Sequence, residues 1–281
     1  MDPLARAKGG DRWAAGLPEV IAELAARWDI TVGRPLDGGT ASYVVEARRA
    51  NGDPAVLKIS VPGVDVGREA RTLLAAAGRG YVRVLAVALD RHAILLESLG
   101  TSLDRSGMPA ERQLAVLAGL LPLAWQVPDQ GGSPLDKAAD LAEFITAYRD
   151  ERHVRIVDEA MRCAERRSAA FDPDRCVVVH GDAAAANVLR RPGDGWVFVD
   201  PDGFVGDPAY DRGVAARDWG AELLAAADPR ALMRTYCRLL GGDPAVTWEW
   251  AFLERVSTGL YIQHLGGDGT AHLASAHALL D

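Results

Sequence analysis

Apolar side chains recur at helical spacing near the start of the chain. Trp13, Leu17, Val20, Ile21, Leu24 and Trp28 fall on one face, which predicts an amphipathic helix running up to Asp29. From Ile30 to Ser60 the period shortens to β-rich runs, ITVGRPL, SYVVEARR and PAVLKIS, separated first by Asp37-Gly38-Gly39 and then by Asn51-Gly52. Asn-Gly is a strong hairpin signal because both residues tolerate positive φ, so three antiparallel strands are predicted. Pro62 and Gly63 end the run. GREARTLLAAA then reads as one helix, and YVRVLAVALD with HAILLES as two more strands around an Asp90-Arg91 turn. An N-terminal lobe over residues 1–98 is expected, a five-stranded antiparallel sheet with one inserted helix.

Beyond Leu99-Gly100 the pattern turns helical, and residues 99–281 form the expected second lobe. Residues 110–125 and 137–167 are predicted as long helical segments split by the loop QVPDQGGSP. One β-island interrupts them: CVVVH, NVLRR and, after a Pro-Gly-Asp-Gly turn, WVFVD. After Pro208 helices resume up to Asp281, punctuated by Gly-Gly-Asp-Pro at 241–244 and Gly-Gly-Asp-Gly at 266–269. The class is α+β, a sheet followed by a mainly α-helical lobe.

Composition narrows the function. The 281 residues are 49% hydrophobic and 25% charged, as in a globular chain with a sizeable core. Lys+Arg 31 against Asp+Glu 39 gives a net charge of −8, which repels phosphate backbones and attracts cations, so nucleic acid is not an expected partner. Cys163, Cys176 and Cys237 are odd in number and lack C-x-x-C spacing, which suggests neither disulfides nor zinc and fits a reducing cytoplasm. The start MDPLARAKGGDRW has no apolar signal core. The longest apolar stretch, residues 114–125, falls short of the roughly 20 residues that span a bilayer, so no membrane partner is expected.

The β-island carries the chemistry. His180-Gly181-Asp182 follows an apolar run, Asn187 lies five positions after Asp182, and Asp200 closes the next strand thirteen positions after Asn187. Phosphoryl transfer from a nucleotide needs such a set: hard oxygen ligands for Mg²⁺ and a carboxylate that orients the attacking hydroxyl and accepts its proton. HGDAAAAN with DPDG has the spacing logic of the kinase pattern H-R-D-x-x-x-x-N followed by Asp-x-Gly.

The segment HGDAAAANVL, with VFVDPDGFVGDPAYD after it, resembles the aminoglycoside phosphotransferase family and is most similar to the streptomycin 6-kinases and hydroxyurea kinases. The resemblance implies a two-lobed protein-kinase-like fold using ATP and Mg²⁺. It also implies that Asp182 is the catalytic base, that Asn187 and Asp200 hold the metal, and that Gly206-Asp207-Pro208 with Asp211 supports the loop. A kinase-like fold further needs a lysine on the third strand and a glutamate on the following helix, and Lys58 and Glu69 stand there. Singly, such a lysine is also what snorkels from a strand edge, and such a glutamate is what a helix dipole favours; their order along the chain is the distinguishing feature. Gly38, Gly39 and Ser42 lie in the turn between the first two strands, where small residues let backbone N–H groups approach phosphates. Glu97 and Leu99 are candidate hinge positions for the adenine, and His180 is read as a brace for the loop.

The loop from Ala183 to Ala186 is all alanine where relatives usually carry bulkier residues, often a histidine, so the acceptor is less legible than the catalysis. Asp202, Asp218, Trp219 and Glu222 are candidate acceptor contacts, since acidic groups suit a cationic small molecule; Asp218 and Glu222 at i,i+4 also fit a solvated helix face. The expected acceptor is an aminoglycoside of the streptomycin type. Hydroxyurea or an amino sugar is the alternative acceptor, and a nucleotide-binding pseudokinase is the alternative class.

Overall fold

The computed structural model describes residues 10–36, 41–193 and 195–281. A helix α1 (Gly10–Trp28) leads into five strands: β1 (Ile30–Pro35), β2 (Ser42–Arg49), β3 (Pro54–Ser60), β4 (Val84–Ala88) and β5 (Ala93–Glu97). Helix α2 (Val66–Ala76) is inserted between β3 and β4. All pairings are antiparallel, in the order β1-β2-β3-β5-β4. The Asn51-Gly52 hairpin forms as expected, with Gly52 at φ 88° and its N–H donating to Arg49 O.

Strand alternation explains how β3 serves two sides at once. Ala55, Leu57 and Ile59 are buried in a cluster with Leu17 and Leu24 of α1, so the N-terminal helix covers one face of the sheet. Val56 and Lys58, on the opposite parity, line a cavity on the other face.

The remainder contains α3 (Ala110–Ala124), α4 (Lys137–Tyr148), α5 (Val154–Ala169), α6 (Pro208–Arg217), α7 (Gly220–Ala225), α8 (Pro229–Leu239), α9 (Pro244–His264) and α10 (Thr270–Ala278). The expected helix over 137–167 is in fact two. Arg149 takes an extended backbone, and the Asp150 carboxylate accepts from the N–H of Arg152, so a new start is capped where helical periodicity alone shows no break. Helix α9 forms the centre of a large core and packs on α4, α5, α6, α8 and α10. Gly213 lets α6 approach it, since a Cβ there would collide with Trp250. No helix among the described residues is long and apolar enough to cross a membrane.

The β-island forms two small antiparallel ribbons. β7 (Val188–Arg190) pairs with β8 (Trp196–Phe198), whereas β6 (Val177–Val178) pairs with β9 (Val205–Gly206), a strand the apolar pattern is too short to reveal. The chain between β6 and β7 carries His180, Asp182 and Asn187, and the chain between β8 and β9 carries Asp200 and Asp202.

His153, just before α5, brings Nδ1 within 3.1 Å of His277 Nε2 in α10 and ties the last helix to the body. Burial, then the neighbouring His277 and Arg152, hold His153 below its ordinary value of 6.5, with Asp150 opposing. In weak acid this site therefore binds a proton more readily in the unfolded chain than in the folded one. This contribution to stability is complete above pH 6.5 and is lost as pH falls through the lowered pKa. Thermal unfolding followed from about pH 7.5 to about pH 5 is expected to show a fall in Tm that is smaller in His153→Gln.

Candidate active site

Lys58 reaches across the molecule. Its Nζ donates to Glu69 Oε1 and Oε2 at 2.8 and 2.9 Å and to Asp200 Oδ1 at 2.9 Å, so β3, α2 and the loop after β8 meet at one ammonium. The side chains of Lys58 and Glu69 are 9% and 6% exposed, whereas that of Asp200 is 43% exposed. Burial works against the Lys58 charge, but Asp200 and then Glu69 outweigh it and hold its pKa above the ordinary lysine value. Asp200 sits at φ 56°. Residues other than glycine enter that region at a cost of about 1–3 kcal/mol, a strain typical of functional loops.

The sheet and the β7–β8 ribbon enclose a cavity of about 560 Å³. Val44, Val56, Leu96, Leu189 and Val199 supply apolar walls, and Lys58, Asn187 and Asp200 are among the polar ones. Glu97 and Leu99 also line it. The Glu97 carboxylate itself is engaged elsewhere: Oε1 accepts from the Arg83 backbone N–H at 2.8 Å and from Arg191 at 2.6 Å. Arg191 in turn donates to Gly78 O and Tyr81 O, so a buried guanidinium tacks the β7–β8 turn onto the sheet side. Ser42 opens β2 opposite Ser60 and is not among the cavity-lining residues; Gly38 and Gly39 lie outside the described residues.

The Asp182 loop is held from two sides. Asp211, fully buried in α6, accepts from the N–H groups of His180 and Gly181 at 2.8 Å each and from Trp125 Nε1 at 2.9 Å. His180, 0% exposed, accepts at Nδ1 from the Asp182 N–H and donates from Nε2 to Val199 O, which gives the brace expected of it. Gly181 is required by its φ of 89° and by the approach of Asp202, whose Cβ would lie 2.6 Å from an added Cβ. Ala183, Ala184 and Ala185 are buried and only Ala186 is exposed, so most of the alanine run packs inward.

Asn187 Nδ2 donates to Asp182 Oδ2 at 2.8 Å and to Asp182 O at 2.9 Å. The Asn187 side-chain Oδ1 and Asp200 Oδ2 are thereby left as hard oxygen donors at the cavity, a donor set that fits Mg²⁺. Asp182 is surrounded by protein, yet 44% of its side-chain surface remains open. Burial alone would raise its pKa; the Arg217 guanidinium, then His180 and Asn187, overcome burial and hold the carboxyl below its ordinary range.

Arg217 is a partner of Asp182 that the sequence does not reveal. Its NH2 donates to Asp182 Oδ1 at 3.0 Å, a pairing across 35 positions that adjacent Asp218 conceals in the sequence. Among the candidate acceptor contacts, Asp202 is exposed over Gly181, and Asp218 pairs with Arg217. The Trp219 indole donates to Ala215 O, and Glu222 is exposed on α7. Asp218 and Glu222 do not share a helix face, because Asp218 and Trp219 form an irregular junction, Trp219 at φ 71°, between α6 and α7.

A family model described as aminoglycoside/hydroxyurea antibiotic resistance kinase matches residues 27–242. A streptomycin 6-kinase of Streptomyces glaucescens is 28% identical over 98% of this chain and 92% of its own length. A hydroxyurea phosphotransferase of Kitasatospora aureofaciens is 32% identical over 72% of this chain and 61% of its own length. Among solved structures, a choline/ethanolamine kinase family protein of Mesorhizobium loti matches with a TM-score of 0.66 and 19% identity, over 94% of this chain and 95% of that one, a likeness of protein-kinase-like fold.

The buried Lys58–Glu69 pair gives a stability test. Removing one partner of such a pair costs about 3–5 kcal/mol, whereas replacing both with apolar groups is often near neutral. Lys58→Met is therefore expected to lower the urea midpoint strongly, and Lys58→Met with Glu69→Leu to recover more than half of the loss.

Proposed function

The chain belongs to the aminoglycoside/hydroxyurea antibiotic resistance kinase family, and from that premise we propose that it transfers the γ-phosphate of ATP to a hydroxyl of a small cationic acceptor, an aminoglycoside of the streptomycin type. The observation that carries this reading is the Asp182 carboxylate. It is anchored at both oxygens by Asn187 and Arg217, kept ionised, and still open on one side.

A carboxylate offers about four lone-pair sites, so two anchoring bonds leave room for an acceptor hydroxyl to donate. Asp182 would orient that hydroxyl and take its proton as the new O–P bond forms and the bridging β–γ P–O bond breaks. Lys58, fixed by Glu69, would hold phosphate oxygens as a point charge. The cavity volume and its apolar walls suit a purine nucleotide. Asn187 and Asp200 would hold Mg²⁺, which when bound offsets charge developing on the phosphoryl oxygens.

The acidic balance and the carboxylates Asp202 and Asp218 near Asp182 support a cationic acceptor. The resemblance to a hydroxyurea phosphotransferase supports a neutral acceptor as the second reading.

Two measurements test this. General-base positioning is worth about 10²- to 10⁴-fold, so Asp182→Asn is expected to lose at least 10² in kcat with Mg·ATP affinity largely intact; wild-type turnover would remove Asp182 from the chemistry. Attraction of a polycation to carboxylates is screened over a Debye length of about 10 Å at 0.1 M salt. The KM for streptomycin is accordingly expected to rise with ionic strength without a parallel rise for Mg·ATP. Salt-independent turnover of hydroxyurea, with streptomycin untouched, would transfer the assignment to the second reading.

A further inference from the structure

Helix α6 meets the Asp182 loop twice. Asp211, in its first turn, holds the backbone N–H groups of His180 and Gly181, and Arg217, its last residue, holds the side chain of Asp182. One rigid element thus fixes both the path of the loop and the direction of the carboxylate it presents.

Arg217 is itself tightly held. NH1 donates to Glu254 Oε2 at 3.2 Å and Nε to Asp218 Oδ1 at 3.4 Å, and the side chain is 15% exposed. Glu254, whose side chain is 6% exposed, accepts from the buried Tyr210 hydroxyl at 2.6 Å. A chain of hydrogen bonds therefore runs from Tyr210 through Glu254 and Arg217 to Asp182 Oδ1, while Asn187 takes Oδ2. With a donor on each oxygen, rotation of the carboxylate about its Cβ–Cγ bond breaks at least one charge-assisted bond. The planar guanidinium matters here, because its forked donors reach Asp182 and Glu254 at once, which a lysine ammonium on a flexible stem does not reproduce.

We propose that Arg217 is a positioning residue for phosphoryl transfer, aiming the Asp182 carboxylate at the acceptor hydroxyl, with Glu254 and Tyr210 holding Arg217 in place. This rests on the reading of Asp182 as the group that takes the acceptor proton. The competing role is that of a counter-ion for Glu254 and Asp218 only, in which Asp182 would be an incidental third contact.

Misplacement of a catalytic group by about 1 Å can cost on the order of 10²-fold in rate. Arg217→Lys, which retains the charge and loses the fork, is thus expected to lower kcat with streptomycin by about 10-fold or more while KM for Mg·ATP stays within about twofold. Arg217→Ala is expected to lose about 10²-fold and to regain part of that loss in guanidinium chloride at concentrations far below denaturing ones, with no such gain in Asp182→Asn. Glu254→Gln, which weakens the hold on Arg217, is expected to reduce kcat in the same sense and by less.

A crystal structure of Arg217→Lys supplies a readout that needs no acceptor, and the Asp182 carboxylate is expected to leave its present orientation. An unmoved carboxylate overturns the proposal, as does a moved one with unchanged kcat. So does a loss confined to Tm or to KM for Mg·ATP. Should Arg217→Ala fail to fold, Arg217→Lys and Glu254→Gln decide by the same criteria. Full turnover by Asp182→Asn would instead overturn the reading of function, an outcome separate from the orientation seen in the Arg217→Lys crystals.

Discussion

A buried lysine needs counter-charges, and that requirement organises this molecule. The Lys58 ammonium leaves water only because two carboxylates meet it, Glu69 from α2 and Asp200 from a loop 142 positions away. Each partner has to be delivered by a different piece of the fold. The parity of β3 turns Lys58 toward the cavity while Leu57 and Ile59 turn toward α1, and the inserted helix α2 brings in Glu69. Asp200 comes from the far side of the cavity, at a backbone φ that costs energy to hold. Sheet, inserted helix and helical body are thus coupled through one charged atom, and the site between them exists because that coupling does.

The Asp182 side follows a similar logic with the signs exchanged. Here the cation is Arg217, set among Asp182, Asp218 and Glu254, and the helix that ends in it also carries Asp211 under the loop. Two cations, Lys58 buried and Arg217 largely so, therefore hold two carboxylates. Asp200 keeps an oxygen available on the cavity wall, and Asp182 keeps an open flank, so each anchor restricts its carboxylate without saturating it. Free lone pairs on both acids are what the proposed metal and acceptor hydroxyl require.

Local signals made much of this legible from sequence. Asn51-Gly52 marked a hairpin, and the order of Lys58, Glu69, Asp182, Asn187 and Asp200 along the chain pointed to residues that the fold does bring around one region. What escaped was long-range pairing and capping. Arg217 beside Asp218 looks like a local ion pair, and nothing in the spacing reveals that its other donors reach Asp182 and Glu254. The break at Asp150 was invisible because an Asp inside a helical pattern reads as a surface position until its carboxylate is seen capping the next turn. Glu97, read from sequence as a hinge position for the adenine, lines the cavity, and its carboxylate is a latch to Arg191, a partner 94 positions on that spacing does not reveal.

The most direct test is to incubate the purified protein with Mg·ATP and streptomycin, with hydroxyurea and amino sugars in parallel, and to follow ADP release together with the mass of the acceptor. ADP release that requires an acceptor, matched mole for mole by a product heavier by one phosphoryl group, is the expected result. Nucleotide binding without a phosphorylated product from any of these acceptors would contradict it and mark the chain as a nucleotide-binding module rather than a phosphotransferase.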